Sequence, residues 1–152
     1  MPSFGEQSKL HLGTCHPDLI TLMNEVVKEY DISVVFGHRS LSQQNALFRK
    51  GRKLKAGYDG SKRDHYDIVD KSKVVTYRGY DRKSKHNYYP SLAVDVIPYP
   101  SKWSSEHKIY EMAGYVKAVY QRLKKEGKIS SKLVFGSDWR GLPDPAHVEI
   151  FE

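Results

Sequence analysis

The chain has one cysteine, Cys15, which excludes an internal disulfide framework and any cysteine-rich zinc site. It has no run of about 18 apolar residues, so no segment reads as a membrane span. The first residues, Met1-Pro2-Ser3-Phe4-Gly5-Glu6, offer neither a basic n-region nor an apolar h-region. No secretory signal is visible, and synthesis in the cytoplasm is expected. With 11 glycines and 7 prolines, collagen-like and low-complexity readings fail. No internal repeat is present. The 152 residues, 39% hydrophobic and 28% charged, have enough apolar material for one core. They fit a single domain, 1–152, at about 100–200 residues per domain.

The charge is unevenly placed. Lys plus Arg is 25 and Asp plus Glu is 18, a net +7. Residues 49–85 hold 13 basic and 5 acidic residues, so the whole excess sits in this segment of 37. A clustered basic surface attracts a polyanion, either nucleic acid or an anionic cell wall, unless it is merely solvated. No paired-cysteine finger, heptad or RNP-like aromatic pattern supports nucleic acid.

Periodicity organises the rest. Leu19, Leu22, Met23, Val26, Val27 and Tyr30 follow helical spacing, with Pro17 suited to the first turn. Ile32 to Phe36 reads as a strand. Ser40-Leu41-Ser42-Gln43 matches a capping box, opening a helix that Gly51 closes. Residues 52–83 look like an irregular basic insertion, apart from a strand at Val74 to Tyr77. Leu92 to Ile97 reads as a strand stopped by Pro98 and Pro100. Ser105 to Glu126 reads as the longest helix, burying Ile109, Met112, Ala113, Val116, Val119, Tyr120 and Leu123, and Gly127 ends it. Leu133 to Phe135 and Ala146 to Phe151 read as the last strands. Helices and strands follow no βαβ rhythm, so the class is α+β, an antiparallel sheet with helices on one side.

Alternation along strands sorts the polar residues. His147, Glu149 and Phe151 share one face of the last strand. Asp95 shares a face with Ala93 and Ile97. An aspartate among Leu, Ala, Val and Ile is costly to bury unless paired or bound to a metal. His147 and His86 are the candidate partners, and two histidines with one carboxylate form a ligand set for catalytic zinc.

Four short elements carry a resemblance. Ser84-Lys85-His86 with Ala93-Val94-Asp95 resembles the SxH…AxD element of zinc peptidases that cut peptidoglycan, the D-alanyl-D-alanine carboxypeptidases and dipeptidases and the phage L-alanyl-D-glutamate endopeptidases. Phe135-Gly136-Ser137-Asp138-Trp139 resembles the Gly-x-Asp-Trp element of the endopeptidase branch. Asp144-Pro145-Ala146-His147-Val148-Glu149 resembles the terminal D-x-x-H-x-E element. Gly37-His38-Arg39-Ser40, with Gln44 downstream, is similar to the G-x-R…Q element. They occur in family order over residues 37–149.

The resemblance implies a DD-peptidase/Hedgehog-like fold and one Zn2+ per chain. Its ligands would be His86, Asp95 and His147, with Asp144 as general base and Arg39 facing the substrate and the developing oxyanion. Ser84 and Gln44 would lie at the substrate. Asp138 and Glu149 would support the site from behind, although Asp138 and Trp139 also fit simple packing, Asp144 a turn, Arg39 a surface ion pair and Glu149 a solvated charge. The implied partner is bacterial peptidoglycan, cut by a monomeric endolysin held in the host cytoplasm until holin-dependent release. The expected bond is L-alanyl-D-glutamate, with D-alanyl-D-alanine as the alternative, and the competing class is a non-enzymatic polyanion binder, either a metal-free member of this fold on the cell wall or a nucleic-acid-binding protein.

Two features depart from the family pattern. His86 and Asp95 are nine residues apart where seven is usual. The basic, tyrosine-rich stretch is the other departure. Within it and just after it, Tyr66, Tyr77, Tyr80, Tyr88 and Tyr89 are candidates for stacking on sugar rings, with Tyr77 expected to cover core instead. Cys15 is expected to be buried rather than nucleophilic. His11, His16, His38, His65 and His107 are expected at the surface.

Overall fold

Each long apolar stripe in the sequence becomes a buried helix face. A computed structural model describes residues 2–100, 103 and 105–151. Helix α1 spans Glu6–Leu12, α2 Pro17–Val27, α3 Leu41–Phe48 and α4 Glu106–Lys125. All seven positions expected to face inward from α4 are buried. Leu19, Leu22, Met23, Val26 and Val27 do the same for α2. Pro17 opens α2, where its missing N–H costs nothing, and the His16 ring accepts the Asp18 N–H at 3.0 Å. Ser40 and Gln43 form the expected capping box on α3.

Strands β1 (Ile32–Phe36), β4 (Ala93–Pro98), β6 (His147–Ile150) and β5 (Leu133–Phe135) form one antiparallel sheet in the order β1-β4-β6-β5. The fold is α+β. Val34, Val94, Val96, Val148 and Ile150 join the stripes of α2 and α4 in one core. Each such side chain contributes roughly 1.5–3 kcal/mol when fully buried. Ser8 of α1 accepts the Val34 N–H at 3.0 Å, capping an edge-strand donor.

The register decides what lies opposite what. Val94 pairs with Val148 and Asp95 with His147. The valines therefore enter the core, while Asp95 and His147 share the other face. A bulge between Val34 and Phe36 on β1 shifts the chain just before Gly37.

The basic segment folds differently from the sequence expectation. No strand forms at Val74 to Tyr77. Instead β2 (Arg52–Leu54) and β3 (Tyr66–Ile68) make a separate small hairpin. Tyr77 is 47% exposed and does not cover core. Tyr66 and Tyr80 do so in its place. Both rings meet buried Phe48 edge-on at 5.8 and 5.7 Å, and their hydroxyls lie 2.9 Å apart. Two of the tyrosines available for sugar stacking are thus spent on packing, while Tyr88 and Tyr89 remain exposed. Cys15 is buried, and burial pushes its thiol up to about 12, so it holds its proton at neutral pH.

Candidate metal centre

The β4–β6 register sets the first half of the site. It brings His147 Nδ1 to 3.0 Å from Asp95 Oδ1. His86 arrives from a single helical turn, Lys85–Asn87. Ser84 Oγ accepts the His86 N–H at 3.2 Å, and Asn87 Oδ1 accepts the Ser84 N–H at 2.8 Å. Asn87 Nδ2 donates to the Arg39 carbonyl at 3.1 Å, and Arg39 N–H to the His86 carbonyl at 2.8 Å. The two loops are therefore stitched together. The long approach to Asp95 is absorbed without displacing His86: Ser91 exchanges backbone bonds with Thr14 and His16, and Leu92 N–H returns to the Lys85 carbonyl at 3.1 Å.

His86, Asp95 and His147 are all buried, and one ligand atom from each lies within 4.8 Å of the others. Among the described residues no other histidine joins them. This group could hold a metal ion, and its hydrogen bonds fit one. His86 Nδ1 lies 2.7 Å from the Gly37 carbonyl, which can only accept, so Nδ1 carries the proton. Nε2 is left as a bare lone pair. It is buried, has no hydrogen-bond partner and faces Asp95 Oδ2 at 3.3 Å. A lone pair against a carboxylate is repulsive unless a cation stands between them. His147 Nε2 lies 2.8 Å from Glu149 Oε1, which would keep one ring proton there while a metal displaces the proton that Nδ1 shares with Asp95.

The electrostatics separate the groups. Burial alone would raise Asp95, yet His86 and His147 hold its carboxyl well below the usual carboxylate range. Burial pushes His86 down against the pull of Asp95. Burial would also lower His147, but the hydrogen bonds its ring donates to the Asp95 and Glu149 carboxylates prevail and raise it to about 9. Asp144 is raised, first by burial and then by the charge of Asp95.

The remaining predicted residues divide by where they point. Asp144 is half-buried beside the cluster, where it feels Asp95, His147 and Arg39. Its Oδ1 accepts the Ala146 N–H at 3.3 Å. Arg39 is no surface pair: its side chain is 11% exposed and Nη2 donates to Asp95 Oδ2 at 2.7 Å. Gln44 and Ser84, expected at the substrate, are buried, and their polar atoms serve the protein. Gln44 Oε1 accepts from Arg39 Nη1 at 3.2 Å, and Ser84 caps the His86 turn. Asp138 does not reach the cluster, because Lys117 draws its carboxylate outward. Trp139 is the member of that element that touches the site, its ring 4.9 Å from that of His147.

Sequence reasoning gave no weight to the glycines of the motifs, although both shape the site. Gly37 supplies the carbonyl that fixes His86, and a Cβ there would run into the His11 carbonyl and the Thr14 hydroxyl. Gly136 accepts the Asp144 N–H at 2.8 Å, and a Cβ there would collide with the Asp144 carbonyl and press on His147 Cβ. Gly136→Ala is therefore expected to cost about 1–3 kcal/mol, the usual range for overpacking. Thermal unfolding should show a Tm several degrees lower, and an unchanged Tm would mean the loop yields freely.

The sequence matches no protein-family model and no curated protein. The fold is similar to the crystal structure of the L-Ala D-Glu endopeptidase ChiX of Serratia marcescens, with a TM-score of 0.60 and 19% identity. The likeness covers 99% of this chain and 91% of that one, and at this identity it is a likeness of fold.

Proposed function

We propose that this chain is a zinc-dependent peptidoglycan peptidase, one domain over 1–152, that hydrolyses the L-alanyl-D-glutamate bond of the peptide stem as a monomeric phage endolysin. The buried His86–Asp95–His147 cluster carries this reading. The similarity in fold to an L-Ala D-Glu endopeptidase supports it. Among the described residues no helix is long and apolar enough to cross a membrane. As an endolysin the protein would reach the wall through a holin.

His86, Asp95 and His147 would hold the zinc, with Glu149 keeping the proton of His147 on Nε2. When bound, zinc would supply a Lewis acid to polarise the scissile carbonyl and would lower the pKa of water to about 7. Asp144 takes the proton of the attacking water and passes it to the leaving amine. Burial and the charge of Asp95 raise its pKa, which suits a carboxylate that must both accept and release a proton. Arg39, held by Gln44 and Asp95, places fixed positive charge beside the cluster to oppose the charge developing on the carbonyl oxygen. Gln44 and Ser84 position Arg39 and His86 rather than touch the substrate.

Mass spectrometry of purified peptidoglycan digested with the zinc-loaded protein tests this function. Fragments with a new amino-terminal D-glutamate are expected. Release of D-alanine would move the cut to the D-alanyl-D-alanine bond, and absence of any cut would remove the peptidase reading.

The basic segment would hold the enzyme on its anionic substrate. Lys55 pairs with Asp67 at 3.8 Å and Arg63 with Asp81 at 2.9 Å. Lys50, Lys53, Lys62 and Lys71 are exposed and, among the described residues, have no carboxylate within 4.0 Å. Replacing these four by Gln is expected to weaken retention on sedimented peptidoglycan roughly tenfold at low ionic strength, and less in high salt. Unchanged retention would remove the anchoring role.

A further inference from the structure

Arg78 belongs to the basic segment, yet a single buried side chain ties its backbone to the metal centre. Gln44, 0% exposed, donates from Nε2 to the Arg78 carbonyl at 3.1 Å while accepting from Arg39, the partner of Asp95. Thr76 Oγ1 accepts the Arg78 N–H at 3.1 Å, and Arg52 holds the Thr76 carbonyl at 2.9 Å. The Arg78 guanidinium then reaches the chain entering the His86 turn, with Nη1 3.4 Å from the Lys83 carbonyl. The charge of Glu149, the carboxylate bonded to His147, also acts on the Arg78 guanidinium. Arg78 is thus exposed at the rim of the centre, beside the turn that carries His86.

Arg82 and Arg63 repel Arg78. Arg63 is answered by Asp81, and Glu149 is already engaged by His147. Among the described residues neither Arg78 nor Arg82 has a carboxylate within 4.0 Å. Neighbouring guanidiniums left open to solvent beside a reaction centre suit a planar anion, which arginine binds through two parallel N–H donors.

The proposed substrate offers such an anion. A glutamate inside a peptide uses one carboxyl group in the chain and keeps the other free, here on the residue adjoining the scissile bond. We propose that Arg78, with Arg82 beside it, binds this free carboxylate, seating the leaving-group side of the substrate and selecting for an acidic residue there. The inference rests on the peptidase reading and adds a specificity-determining residue to it.

Two synthetic stem peptides, identical except that this carboxylate is free in one and a carboxamide in the other, test it. The zinc-loaded wild type should cleave the free acid with a kcat/KM roughly 10- to 100-fold higher, the range for a charge-assisted contact. Arg78→Gln should bring the free acid down toward the carboxamide, erasing the preference, with zinc content unchanged by mass spectrometry. A wild type without preference, or a variant that keeps it, would overturn the inference while leaving the peptidase reading intact. A wild type that cleaves neither peptide would overturn both.

Discussion

His147→Ala is expected to lose bound zinc and, with it, hydrolysis of peptidoglycan. The substitution removes Nδ1, which lies 3.0 Å from Asp95, and leaves Glu149 without the ring it orients. Two ligands remain, His86 and Asp95, too few for the three-residue set of a catalytic zinc site. Metal-ion catalysis supplies several kcal/mol of transition-state stabilisation, so kcat/KM should fall by at least about 1,000-fold. Elemental analysis after dialysis checks the first effect and dye release from labelled peptidoglycan the second. The circular dichroism spectrum should persist, because the core formed by α2, α4 and the valines of the sheet does not include His147. Retained zinc would place the ion elsewhere.

Asp144→Ala should behave in the opposite sense toward the metal. Asp144 is not one of the three clustered residues, and its backbone bond to Gly136 survives truncation of the side chain. Zinc content should therefore stay near one equivalent per chain. Turnover should fall by about 100- to 10,000-fold, the usual worth of a positioned acid–base group. Wild-type turnover with zinc present would mean that another group moves the proton. The pair of variants separates the two jobs: one loses metal and rate, the other rate alone.

The parts of this site legible in the sequence are those that follow from strict periodicity. Asp95 and His147 fall on matching strand faces because side chains alternate with a period of two, and the observed register pairs them directly. The α4 stripe was legible because 20 residues give helical spacing room to repeat. Helix α1, with seven residues, gave it too little. The β2–β3 hairpin has three residues per strand and shows no alternation. Val74-Val75-Thr76-Tyr77 has strand-like composition, but its polar groups are taken up elsewhere: Thr76 contacts Gln44, Arg52 and the Arg78 N–H instead of a ladder.

Side-chain direction was the least legible property. Gln44 lies in the element expected at the substrate, but its position on α3 turns it inward, under Arg39 and the irregular Thr76–Arg78 segment of the insertion. Ser84 is consumed as a cap, a local role that serine fills readily at the start of a turn. Asp138 is captured by Lys117 of α4, a partner 21 residues away that no local pattern announces. In each case the residue type was correct for a polar role, and a tertiary contact decided which one.

Anomalous X-ray diffraction from crystals grown with zinc tests the metal centre most directly. A single strong peak enclosed by His86, Asp95 and His147 is expected. A map without density there, or with the ion bound elsewhere and the three side chains turned apart, would contradict it.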